Sequence, residues 1–110
     1  MQALRHSAEV FAALGDETRL RIVARLSAGE PLSIARLSEG AGVTRQAVTK
    51  HLHVLARARV IRGSREGREQ LWELDRRRVA EARRALDRIA QDWDARLLRL
   101  KNSVEDRNTP

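Results

Sequence analysis

The stretch from Ser33 to Arg57 constrains the fold more than any other part of the chain. It holds two short helical patterns separated by Gly40, Ala41, Gly42 and Val43. Each pattern opens on a residue whose side-chain oxygen can accept a bond from a free N–H of the first turn: Ser33 in one, Thr44 in the other. Ile34 and Leu37 mark the buried face of the first helix. Val48, Leu52 and Leu55, four and three residues apart, mark it in the second. Val43 is expected to plug the gap between them. This is the pattern of a helix-turn-helix, whose second helix can enter a DNA major groove.

With Val48, Leu52 and Leu55 turned inward, Arg45, Gln46, Thr49, Lys50 and His53 point outward. Arg can fork onto guanine and Gln onto adenine, while Thr can bond a base or meet a thymine methyl. No carboxylate occurs from Thr44 to Arg65. An ordinary amphipathic helix with a solvated basic face would share some of these features. Capping, turn, core spacing and charge sign all agree here, which favours the nucleic-acid reading.

The 110 residues suit one domain with a small core. Only Phe11, Trp72 and Trp93 are aromatic, so that core must be built from Leu, Ile, Val and Ala. A second copy of the chain would be a further source of burial. The net charge of +7 suggests a polyanionic partner, and its distribution says more than its sum. Between Thr44 and Arg68, seven Lys/Arg face one acid, Glu66. With no cysteine there are no disulfides, thiolate ligands or thiol switches. The chain starts without an apolar signal stretch and has no run long enough to cross a membrane, so the expected location is cytoplasmic.

In chain order, Leu4, Val10, Phe11 and Leu14 suggest a first helix over about 4–14, broken by Gly15. Asp16 then caps a second helix running to about Ala28, with Leu20, Ile22, Val23 and Leu26 buried on a broad face. Pro31 ends it. Beyond Ala58 the periodicity becomes extended. Residues 60–65 and 69–74 are strand candidates, with Glu66-Gly67-Arg68 as a hairpin tip and Trp72 and Leu74 on the inner face. A hairpin after a recognition helix is a wing, and Arg65 and Arg68 at its tip could reach phosphates or a narrow minor groove. Arg62 is expected to hold a phosphate as well.

Asp75 can cap a last helix over about 76–104. Val79, Ala82, Leu86, Ile89, Trp93, Leu97, Leu100 and Val104 recur at gaps of three and four, a narrow seam of the coiled-coil kind. Pairs such as Arg88–Asp92 and Asp92–Arg96 are expected on its other faces. A helix this long in so small a domain calls for a partner, so Leu4, Phe11, Leu86, Ile89, Trp93, Leu97 and Leu100 are candidates for a dimer interface. Residues 1–104 then form one domain and 105–110 a polar, frayed tail.

At this point the residues resemble a known family. Phe11-Ala-Ala-Leu-Gly-Asp-Glu-Thr-Arg-Leu-Arg-Ile-Val resembles the opening signature of the ArsR/SmtB repressors. Val43-Thr-Arg-Gln-Ala-Val-Thr-Lys-His-Leu-His-Val-Leu is similar to their helix-turn-helix, and Arg65-Glu-Gly-Arg-Glu-Gln-Leu-Trp-Glu-Leu to their wing. The resemblance implies a mainly α, winged helix-turn-helix homodimer of topology ααααββα, with a long C-terminal dimerisation helix. It also implies a palindromic operator, and often repression of the protein's own operon. On the family pattern Thr44, Arg45, Gln46, Thr49, Lys50 and His51 fall where DNA contacts are usual, and Gly67 and Arg68 fall at the wing tip. The family's Cys-x-Cys metal sensor is matched here by Ser33 and Ala35, which cannot hold a soft ion, and no His follows His53. Arg59 stands where many members carry Gly, so a different turn is expected before the first strand.

Other readings are weaker. His51 and His53 lie two apart on a helix and do not face one another, so they make a poor metal pair even with His6. No cofactor is implied. No nucleophile triad, phosphate loop or paired carboxylate stands out, so the chain is not expected to be an enzyme. A winged-helix module that binds protein or RNA is the main rival. The basic recognition helix argues against a pure protein contact, and the basic segment lacks the aromatics that stack single-stranded RNA. A membrane surface would need exposed bulky apolars on a basic helix. The partners expected are therefore a double-stranded DNA operator and a second copy. A small-molecule effector is left open, with a pocket near Trp93 and the first helix as one conceivable seat.

Overall fold

The computed structural model describes residues 2–108, with α1 at Gln2–Leu14, α2 at Glu17–Leu26, α3 at Ile34–Ser38, α4 at Arg45–Arg57 and α5 at Arg76–Asn108. Three strands, β1 (Leu32–Ser33), β2 (Ile61–Glu66) and β3 (Glu69–Leu74), form an antiparallel sheet of order β1-β3-β2. The hairpin closes through Gly67 and Arg68 alone, with Glu66 opposite Glu69. Its tip is thus two residues rather than three. Gly67 sits at φ +65, a left-handed position at the first loop residue that a side chain would resist.

Short β1 was not expected from the sequence. Two residues carry no readable alternation, yet Leu32 and Ser33 pair with Trp72 and Leu71 and cover the outer edge of β3.

Four of the five helix starts obey the capping rule. Asp16, Ser33, Thr44 and Asp75 each accept from the backbone N–H three residues on, at 3.0–3.3 Å. Helix α4 ends in a Schellman motif, in which Val60 N–H donates to Leu55 C=O and Arg59 N–H to Ala56 C=O. Arg59 takes φ +63, and it is the sole non-glycine with positive φ among the described residues. The chain therefore keeps the left-handed turn expected of a glycine there. The substitution of Arg adds strain and leaves the geometry as it was.

Val10, Ile22, Leu26, Leu37, Val48, Leu52, Leu55, Val60 and Ile61 form one buried core under the sheet, with Trp72, Leu74 and Val79 packed against it. Two expected members are missing. Leu20 is 51% exposed on the outer face of α2, and Val43 is exposed in the turn. Ala41 takes the place assigned to Val43, packing against the core from the same turn. Ala82 is the last core residue along α5.

Helix α5 runs through Asn108, so residues 105–108 are helical where a frayed tail was expected; Thr109 and Pro110 lie outside the described residues. Its 33 residues make it about 50 Å long, and the molecule extends over 75 × 30 × 21 Å. On its early turns Arg78 pairs with Glu81 at 3.9 Å and Arg83 with Asp87 at 3.8 Å. The pairs expected around Asp92 do not form. No helix among the described residues is long and apolar enough to cross a membrane.

Candidate nucleic-acid interface

Helix α4 divides its faces cleanly. Val48, Leu52 and Leu55 are fully buried, while Arg45, Gln46, Lys50 and His53 are exposed. The periodicity of 3.6 makes the division, because residues three and four apart share one side. Thr44, at φ −70 and ψ 158, stands outside the helix and takes the Ala47 N–H on its hydroxyl, and the N-terminal end of the α4 dipole favours an anion beside it.

Two members of the expected contact set behave differently. Thr49 is half-buried, and its hydroxyl donates to Arg45 C=O at 2.9 Å. Its proton is committed to the helix, which leaves its methyl and the hydroxyl's acceptor capacity to offer outward. His51 is turned back toward α2. Its Nδ1 lies 3.3 Å from Arg19 Nη1 and 3.9 Å from Asp16 Oδ2. It belongs to a polar cluster that ties the reader helix to the N-terminus of α2, rather than to the outward face. In that cluster the Arg19 backbone N–H bond holds the Asp16 carboxyl below its ordinary value, aided by the nearby positive charge of Arg19. Arg19 also donates its Nε–H to Ala13 C=O, which joins α1 to the same cluster.

The wing arginines separate by strand alternation. Arg65 pairs across with Gln70 on the face that carries Gly63, Trp72 and Leu74. Arg62 pairs with Glu73 on the opposite face, where its Nε donates to Glu73 Oε1 at 2.9 Å. Arg62 is thus engaged, and it sits away from the reader helix, apart from the other expected phosphate contacts. Arg68 lies at the tip.

Between the wing and α4 is a cleft of about 330 Å³, lined by Arg45, Thr49 and His53 from the helix, by Arg68, Glu69, Gln70 and Trp72 from the hairpin, and by Ser33, Ile34 and Ala35 at the start of α3. The structure thereby brings the two halves of the expected site together. Among the members that sequence reasoning missed is Gln70. Its signal was available, since it lies two residues before Trp72 on the same strand face. Its side chain crosses the bare backbone of Gly63, where an added Cβ would stand 2.5 Å from Gln70 Nε2. Any larger residue at 63 would push the amide aside.

The dimer candidates Leu4, Leu86, Ile89, Trp93, Leu97 and Leu100 are all exposed, and Phe11 is exposed at 39%. The hollow beside Trp93 is lined by α5 residues alone, from Ile89 to Arg99, with no contribution from α1. It is a groove on one helix, and the pocket conceived there between two helices is not formed.

Residues 14–63 match a family model described as a helix-turn-helix domain. The HTH-type transcriptional regulator Rv2034 of Mycobacterium tuberculosis is 38% identical over 89 residues, covering 81% of this chain and 82% of that protein. Among solved structures, the ArsR-like transcriptional regulator from Rhodococcus sp. RHA1 is 33% identical and superposes with a TM-score of 0.81, covering 93% of this chain and 95% of its own. A homodimeric winged helix-turn-helix DNA-binding domain from Mycobacterium bovis, 22% identical, shares the fold at a TM-score of 0.64 over 81% of each chain. The likeness reaches well past the matched motif into the flanking elements, and on that extent the chain belongs to the ArsR-like family of helix-turn-helix transcriptional regulators.

Proposed function

We propose that the protein is a homodimeric repressor that reads a palindromic double-stranded DNA operator, acting in the cytoplasm. One observation carries this reading. The exposed face of α4 is cationic and free of carboxylates, and it shares a cleft with the wing while its reverse side is buried in the core. Arg45, Gln46 and Thr49 choose sequence, and His53 borders them. Lys50, Arg65 and Arg68 hold phosphates, with Thr44 and Gly67 shaping the approach of backbone. A dimer along the exposed seam of α5, with Leu4 and Phe11 of α1 beside it, places two reader helices in successive major grooves about one turn apart. The homodimeric state of the Mycobacterium bovis domain is in keeping with that arrangement.

The test is selection of bound duplexes from a random pool, followed by competition with single strands. A palindromic consensus is expected. Gln46→Ala should relax preference at one base pair per half-site, by about 1–3 kcal/mol. Arg68→Ala should flatten the salt dependence, whereas Arg62→Ala should leave it unchanged because Arg62 faces away. Equal affinity for duplex and single strand would overturn the operator reading in favour of RNA.

A further inference from the structure

A second hollow, of about 420 Å³, lies on the side of α4 away from the wing, between α1 and the last turns of the reader helix. Ala12, Ala13, Val54 and Ala58 form its apolar walls, with Glu9 and Arg57 at the rim. The two charges differ in availability. Glu9 faces Arg78 of α5 at 3.9 Å, so its carboxylate already has a cation beside it. Arg57 is exposed and has no hydrogen bond or ion pair within the described residues. An apolar trough with one uncommitted guanidinium at its edge has the chemistry of a site for an amphipathic anion: a greasy body lies on the alanines and valine, and a carboxylate forks onto the arginine. A cation would have to compete with Arg78 for Glu9, and a neutral molecule would leave Arg57 unused.

From this geometry we propose that the groove binds a small apolar carboxylate, and that its occupancy lowers operator affinity. The second part rests on the operator reading above. One wall is α1, which presents Leu4 and Phe11 to the proposed dimer partner; the other is α4, which reads DNA. A ligand seated between them favours whichever spacing of the two helices accommodates it, and it acts only through that difference. Filling the groove wedges the C-terminal half of α4 from α1 and misaligns the paired reader helices.

Octanoate serves as the probe, with 1-octanol as its uncharged match, both below micelle-forming concentration. Methyl NMR of the full chain without DNA should show shifts at Ala12, Ala13, Val54 and Ala58. Octanoate should bind at least tenfold more tightly than octanol. Arg57→Gln should remove that preference, and Ala12→Leu, at an exposed position, should block both ligands by filling the trough. Saturating octanoate should weaken operator binding at least fivefold in wild type and leave Ala12→Leu unaffected. Equal binding of octanoate and octanol, an unchanged preference in Arg57→Gln, or unaltered operator affinity at saturation would each overturn the proposal. So would methyl shifts that follow protein dilution but not octanoate, because a second copy would then be covering the groove. The NMR arm uses no DNA, so its failure leaves the operator reading intact. Loss of operator binding in the unliganded protein would sink that reading alone.

Discussion

Two regions of this chain carry apolar residues at the same helical spacing and meet opposite fates. In the head, from α1 to the first turns of α5, Val10, Val48, Leu52 and Leu55 are wholly buried. Beyond Ala82, Leu86, Ile89, Trp93, Leu97 and Leu100 continue the rhythm and are 44–61% exposed. Periodicity therefore marks a face that must be covered, without saying by what. The head supplies its own cover through the sheet and four other helices. Distal α5 extends past all of them, and a continuous apolar stripe of that length on a monomer marks an interaction surface.

The largest expected effect exploits that contrast. Leu97→Glu should weaken dimerisation by about 3–5 kcal/mol, roughly a hundredfold or more, by placing an unpaired charge in each copy's seam. Sedimentation should show monomers while circular dichroism of the head stays native. A dimer that survives the change would mean the seam is covered by something else. Leu52→Ala is the mirror experiment. It should cost the head about 2–5 kcal/mol in urea unfolding, through lost burial and an incompletely closed cavity. If Leu97→Glu unfolded the head as severely as Leu52→Ala, the two regions would be one cooperative unit and the contrast would fail.

The same contrast explains what could be read in advance. Helix faces, caps and the hairpin follow from local chemistry, so Asp16, Ser33, Thr44, Asp75 and Gly67 were legible as punctuation. What depends on a neighbour distant in sequence was not. Leu20 and Val43 are apolar residues in plausible inward positions, yet smaller or better-placed residues fill those sites. His51 looked like a DNA contact from its place in the family pattern, and Arg62 because its charge suits a phosphate. Only the tertiary structure shows one bound up with Asp16 and Arg19 and the other with Glu73. Within the candidate site, α4 was legible because a helix face is local. The cleft that adds Gln70 was not, because it exists only once the wing folds back toward α4.

A smaller effect belongs at the junction of reader helix and wing. Arg59→Gly should stabilise the head by about 0.5–1 kcal/mol. A left-handed residue with a Cβ costs about 1–2 kcal/mol, and glycine returns part of that as lost unfolded-state entropy. The Schellman bonds of Val60 and Arg59 are backbone bonds and survive the change. The melting temperature should rise with no effect on dimerisation. A fall would show that the Arg59 side chain contributes contacts outweighing its strain.

The smallest effect is a pH signature that should appear in one region and not the other. Asp16 sits at the start of α2, where Arg19 N–H donates to its Oδ2 at 3.0 Å and holds its carboxyl below the ordinary value of 3.8. A carboxyl depressed on folding binds fewer protons in the native state than in the unfolded one. Its contribution is therefore present above about pH 3.8 and lost as pH falls through the lower native value. Asp16→Asn keeps a capping oxygen but cannot ionise. Wild type should exceed it in urea midpoint near neutrality, and the gap should close below the ordinary carboxylate range. Because Asp16 serves α2 and, through His51, the reader helix, the gap should register in unfolding of the head. It should be absent from dimer dissociation followed over the same pH range. A matching pH-dependent gap in dissociation would mean that the cap at α2 is coupled to distal α5, and that the two regions do not find their cover independently.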